Sequence, residues 1–216
     1  IYALQTQGLL ANKTSITIET KAGILPIRLE EKDEKLYITM QHAAPQFKAF
    51  NGSRAALAES IGIDEDELHS DLPIVYGSTG LWTILIPVKQ LSSFKKMDPQ
   101  TAIFPSILKE MPTASLHPFC MEALDGTADM HARHFSSPYS GTIQDIVTGT
   151  ASGVMGAYYA KYVNNEITYP KTLIVEQGQE LERDGRVYVH VNKADNHLDI
   201  SITGTAVYVT ELKVQI

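Results

Sequence analysis

The sequence predicts an α+β protein with a mostly antiparallel sheet, and three observations carry that expectation. Roughly ten segments read as strands, many alternating apolar and polar residues at period two, as in "SITIET" (15–20) and "KLYITMQ" (35–41). These segments follow one another in meanders instead of alternating one-for-one with helices, which argues against a doubly wound fold. Helical signals are few, and the clearest lies in a glycine-rich stretch, "TGTASGVMGAYYAKY" (148–162).

Taken in order, "IYALQTQGLL" reads as the tail of a helix ending between Gly8 and Asn12, with upstream residues expected before Ile1. Strands follow at 15–20, 23–30 and 35–41, joined by short turns, and "APQF" (44–47) breaks the pattern. Ser53 is an N-cap for a helix through "RAALAESIG". The acidic 63–73 segment is a solvated turn with a short helical piece, and "LPIVYGSTG" then leads into "LWTILIPVK", the strongest strand. Asp98 as cap and Pro99 at the first helical position predict a helix over "DPQTAIFPSILKEM", with Pro105 kinking or ending it. "SLHPFCMEA" and "MHARHF" pair across the Asp125–Gly126 turn. After the glycine-rich helix, "TLIVEQG", "RVYVHVNK", "HLDISITG" and "TAVYVTELKV" are the closing strands.

Composition removes several function classes. The chain has 216 residues, is 44% hydrophobic and carries a formal net charge of −7, with no basic cluster larger than "FKK" (94–96), so no nucleic-acid partner is expected. Its longest apolar run is about five residues, against roughly 20 for a bilayer span, so no membrane partner is expected either. A single cysteine, Cys120, cannot form an internal disulfide and fits a cytoplasmic setting; it reads as a small buried hydrophobe. His131 and His134 stand three apart on a strand, so they point to opposite faces and do not make a metal site.

The glycine-rich helix raises two questions: why glycines, and what sits at its start. Gly149, Gly153, Gly156, Ala157 and Ala160 share one helical face. Glycine costs about 1 kcal/mol against alanine in a helix, so such a face belongs where backbone must lie close to other backbone. At the start, the N–H groups of Thr148, Gly149, Thr150 and Ala151 stand at the positive end of the helix dipole, a site for a carboxylate or phosphate. Asp145 lies just upstream, where it could exchange a proton with a bound anion. The competing reading is that Asp145 or Thr148 caps the helix.

The block "RHFSSPYSGTIQDIVTGTASG" (133–153) resembles the signature of the phenazine-biosynthesis PhzF-like isomerase family. "STGLWTILIPV" (78–88) and "EQGQELERDGRVYV" (176–189) match as well. The resemblance spans the chain. It implies a diaminopimelate-epimerase-like fold: two domains, each a barrel-like sheet around a central helix. Residues 1–48 would be the remainder of an incomplete first domain and 49–216 the second, with the final strand able to return to the first. It further implies an isomerase that moves a proton on a small cyclic or amino-acid-like carboxylate, resembling trans-2,3-dihydro-3-hydroxyanthranilate isomerase. Such an enzyme uses no metal and no organic cofactor, and is a homodimer.

Carried over residue by residue, Asp145 matches the motif aspartate and Gly149 and Thr150 the substrate-facing helix start. Gln144 stands where the family has glutamate, and Ile146 where it has proline. The family's N-terminal glutamate and Gly-His-x-Thr block have no match here, so this chain alone is expected to be inactive. A non-catalytic carboxylate-binding or structural member of the fold is the other reading. Arg183 is expected to pair with Glu180 or Glu182 at the surface, and Ser78 and Thr79 either serve a turn or donate to a ligand.

Overall fold

A computed structural model describes residues 1–21, 23–194 and 197–211. It opens with a short helix α1 (Tyr2–Thr6), closed by Gly8 and Asn12 in left-handed conformations, then strands β1 (Ser15–Thr20), β2 (Gly23–Lys32) and β3 (Lys35–Gln41). Next come β4 (Gln46–Ala49), α2 (Arg54–Ser60), β5 (Val75–Ser78) and β6 (Trp82–Pro87). Ser53 caps α2, its Oγ accepting from Ala56 N–H at 3.1 Å. The chain continues through α3 (Phe104–Ile107), β7 (Ser115–Cys120), β8 (Met130–Ala132), β9 (His134–Phe135) and β10 (Gln144–Asp145). Helix α4 (Gly149–Tyr158) runs into a π-helical turn (Tyr159–Val163), and β11 (Lys171–Gln177), β12 (Gly185–Ala194) and β13 (His197–Gly204) follow.

Among the described residues all strands belong to one sheet, ordered β1-β2-β3-β13-β12-β11-β8-β7-β6-β5-β4, with β9 and β10 off that path. Of the described pairs, β6–β7 and β8–β11 are parallel and the others antiparallel. The last described strand, β13, pairs with β3, Met40 opposite Ile202, so residues 1–48 join the same sheet as the rest.

Helix α4 is the axis of this arrangement. It contacts β12 and β13 on one side and β5 on the other, although five strands separate β13 from β5 in the sheet order. The sheet therefore curls around the helix. A second core lies on the opposite face of β5–β7, where Leu57, Ile61, Phe94 and Phe104 pack against Tyr76, Ile84 and Leu116. Strands β5 to β7 are thus covered on both sides, which explains why "ILIPV" (84–88) is continuously apolar.

Several expectations need correction. No single helix spans 98–111: two 3-10 turns (Leu91–Lys96 and Thr101–Ile103) precede the one-turn α3. The Asp98 N–H donates to Ile61 O at 3.0 Å, tying that residue to the end of α2, and Pro105 falls in the first turn of α3, where it has no N–H to lose. "APQF" does not stay irregular, since Gln46–Ala49 pairs with Val75–Ser78 at the sheet edge. Residues 205–211 form no strand, and the rest of that expected strand, 212–216, lies outside the described residues.

The glycine face does what close approach requires. A Cβ on Gly156 would stand 2.4 Å from Val189 Cγ1 and 3.2 Å from Val191 Cγ2, and one on Gly153 3.0 Å from His42 Nδ1. At an exposed helical site, glycine to alanine stabilises by about 1 kcal/mol. Here a contact of 2.4 Å puts the overpacking cost toward the upper end of about 1–3 kcal/mol, which outweighs that gain. Gly156→Ala is expected to lower Tm by several degrees, on a scale of about 2–4 °C per kcal/mol for a domain of this size. An unchanged or raised Tm in thermal denaturation would contradict the close approach.

Candidate active site

The expected site residues lie on one short path. Strand β9 leads into a loop closed by Ser136 N–H donating to Ile143 O (2.9 Å), and β10 returns antiparallel with Asp145 opposite His134. Ile146 and Val147 then lead to Thr148, the first residue before α4. Asp145, Thr148, Gly149, Thr150 and Ala151 are thereby brought together, Thr148 and Ala151 buried and the others half-buried.

Neither candidate cap caps the helix. The Thr148 side chain makes no capping hydrogen bond; its hydroxyl donates to Asp145 Oδ2 at 3.1 Å. Asp145 also accepts from Gln177 Nε2 through its backbone carbonyl, at 3.1 Å. Among the described residues, nothing accepts the N–H groups of Gly149, Thr150 and Ala151, which leaves three donors at the positive end of α4 beside a carboxylate. That is an arrangement able to hold an anion next to an acid/base group.

The walls are built from distant segments. Thr79 Oγ1 donates to Thr150 O at 3.2 Å and lies 2.9 Å from His42 Nδ1, so the ends of β5 and β3 meet at the helix start. With its proton committed to Thr150, the Thr79 oxygen accepts from His42, which is thus the Nδ1–H tautomer. Ser78 Oγ accepts from Gly80 N–H, so both hydroxyls serve the fold. Buried Arg133 donates to Phe94 O (2.8 Å), Met97 O (3.0 Å) and Gln144 Oε1 (2.5 Å), and stacks on Phe135 at 4.8 Å. Gln144 thus offers Arg133 a neutral oxygen at the family's glutamate position, and its own Nε2 has no partner among the described residues.

Sequence reasoning missed Gln177, which binds both Asp145 and Thr148, and His42 as part of the wall; Thr79, expected to serve a turn or donate to a ligand, donates to Thr150 O. Arg183 makes no ion pair among the described residues, because Glu180 is engaged with His131, 2.8 Å from its Nε2. The other His131 nitrogen lies 2.7 Å from Glu176, and both partners are fully buried. Cys120 is buried as expected, its thiol pushed up to about 12 by burial. Among the described residues no group of three or more His, Cys, Asp or Glu could hold a metal ion, and no helix is long and apolar enough to cross a membrane. A concavity of about 560 Å³ lies elsewhere, lined by Arg28, Tyr37, Thr39, His190 and Thr203 among others. Several of its polar groups already satisfy one another, His190 bonding Thr172 and Thr203, and Thr203 bonding Thr39, unlike the free amides of α4.

A phenazine biosynthesis-like family model, PhzC-PhzF, matches residues 1–212. The chain belongs to this family. It is 51% identical over 208 residues to an uncharacterized isomerase of Bacillus subtilis, covering 96% of this chain and 70% of that protein. A trans-2,3-dihydro-3-hydroxyanthranilate isomerase of Pseudomonas aeruginosa is 23% identical over 199 residues, covering 91% of this chain and 66% of the relative. Among solved structures, a PhzF-family phenazine biosynthesis protein of Bacillus anthracis is 56% identical with a TM-score of 0.94, covering all of this chain and 73% of its own. A predicted epimerase from Pseudomonas aeruginosa shares the fold at a TM-score of 0.74 and 20% identity, over 98% of this chain and 72% of that one. These comparisons lend no support to the expectation that this chain alone is inactive.

Beside Asp145, buried His134 and His117 place their Nδ1 atoms 3.2 Å apart. Burial pulls His134 down to about 4 from 6.5, against a smaller upward pull from Asp145, and burial lowers His117 well below its ordinary value. As pH falls from about 6.5 the unfolded chain takes up these protons first, so the stability they contribute above that pH is lost as pH falls, for His134 between about 6.5 and 4. Urea unfolding is expected to show stability falling from pH 6.5 to 5 by up to about 1.4 kcal/mol per pH unit for each histidine. His134→Asn should lose its share of that slope. Equal stability of the unmodified protein at the two pH values would refute the neutral pair.

Proposed function

We propose that this protein is an isomerase that moves a proton on a small cyclic or amino-acid-like carboxylate, with Asp145 as one acid/base group. The observation that carries the reading is the uncapped start of α4, where no described group accepts the N–H groups of Gly149, Thr150 and Ala151 and the Asp145 carboxylate is bonded to the preceding Thr148. A substrate carboxylate bound there would neutralise the helix end and place an adjacent C–H within reach of Asp145. Family membership and relatives named isomerases support the reaction class, and trans-2,3-dihydro-3-hydroxyanthranilate is the substrate type the distant relatives suggest. The reaction as proposed needs neither metal nor organic cofactor. We further propose two domains divided near residue 48, a cytoplasmic homodimer, and Thr148 as the residue orienting Asp145.

The second reading, a carboxylate-binding protein without catalysis, is favoured by Gln144 at the motif's glutamate position. One pair of measurements separates the two. Anthranilate held at ten times its dissociation constant should stabilise the protein by roughly 1.4 kcal/mol. Solvent deuterium should enter trans-2,3-dihydro-3-hydroxyanthranilate in the presence of the protein, and Asp145→Asn should abolish that exchange. Stabilisation without exchange would leave the binding protein; neither effect would remove the site.

A further inference from the structure

Gln177 ends β11 fully buried and meets the Asp145–Thr148 segment at three points. Its Oε1 accepts Thr148 N–H at 3.3 Å, and its Nε2 donates to Asp145 O at 3.1 Å and to Thr148 Oγ1 at 3.3 Å. The sense of this amide is fixed by its neighbours. A backbone N–H can only donate and a carbonyl only accept, so a flipped amide would set donor against donor and acceptor against acceptor. The consequence passes to the hydroxyl. Thr148 has one hydroxyl proton, and Gln177 Nε2–H already occupies an acceptor position on that oxygen, so the proton goes to Asp145 Oδ2 at 3.1 Å.

We propose that Gln177 is a positioning residue of this site, obliging the Thr148 hydroxyl to donate to Asp145 and so holding the carboxylate as a proton acceptor beside the α4 start. The proposal rests on the role given to Asp145 above, but the chain of hydrogen bonds does not. A hydrogen bond donated to a carboxylate oxygen stabilises negative charge on it. Gln177 is itself held, because the preceding Glu176 accepts from Leu124 N–H (2.6 Å) and Asp125 N–H (3.0 Å) and bonds His131 (2.7 Å). The other ionisable neighbours are accounted for: His134 faces Asp145 from β9 and is kept neutral near pH 7 by burial, Arg133 is bound through Gln144, and Glu176 and Glu180 are turned to His131.

The test is the pH titration of the carbon-13 carboxyl resonance of Asp145 in the full chain. Gln177→Met and Thr148→Val should each raise its midpoint by about one pH unit, a tenfold change in proton affinity. Their double variant should do no more than either alone, and Thr148→Ser should titrate like the unmodified protein. If Gln177→Met does not fold, Gln177→Leu likewise removes both hydrogen-bonding groups without adding charge, and the same upward shift is expected. Unmoved midpoints in the Gln177 variants, or effects that add in the double variant, overturn the proposal. Deuterium exchange into trans-2,3-dihydro-3-hydroxyanthranilate, followed on the same samples, judges the function separately: its absence in the unmodified protein would sink the isomerase reading and leave the titration to decide on Gln177.

Discussion

The closeness of α4 to the sheet around it is the constraint from which the rest of the molecule follows. A Cβ on Gly149 or Gly156 would stand 2.4 Å from Ile202 or Val189, so the helix lies against β13 and β12 at a distance only glycine permits. On the other side, a Cβ on Gly77 of β5 would stand 2.7 Å from Val154 of α4. A helix packed this tightly between strands far apart in the sheet order has little freedom to slide or rotate. Its N-terminus is consequently fixed with respect to β10, the end of β11 and the Thr79 turn, and that fixity is what makes a site there credible.

Fixing the helix end would be of little use if its amides were consumed by an ordinary cap. Thr148 has the right side chain to cap α4, yet its hydroxyl is turned toward Asp145 and its N–H toward Gln177. Capping contributes about 1 kcal/mol to a helix, so forgoing it at a rigid, deeply packed helix is a local departure of the kind that marks functional positions. Gln144 is the neighbouring departure. Its amide oxygen accepts from Arg133 Nη2 without adding a second negative charge beside Asp145.

Much of this was legible in the chain itself. Period-two alternation located β1 to β3 and β11 to β13, and the spacing of Gly149, Gly153 and Gly156 located the face of α4 that meets the sheet. Short strands were not legible: β10 is two residues long and β4 four, and each exists because a partner strand lies beside it. The Asp98–Pro99 signal misled because the backbone of Asp98 is taken by Ile61, a tertiary contact that no local pattern reports. Gln177 was hidden for a similar reason, since its partners lie 29 and 32 residues upstream and "VEQG" reads only as a strand end. Arg183 shows the reverse error, a surface pair expected from spacing whose acid partner belongs to a buried histidine.

The central claim is that the bare amides of α4 bind a carboxylate beside Asp145. A crystal structure of the protein soaked with anthranilate tests it most directly. The account predicts the ligand carboxylate within hydrogen-bond distance of the Gly149, Thr150 and Ala151 N–H groups, with the ring against Asp145. Anthranilate seated in the groove lined by Arg28 and His190, with only water at the start of α4, would contradict it.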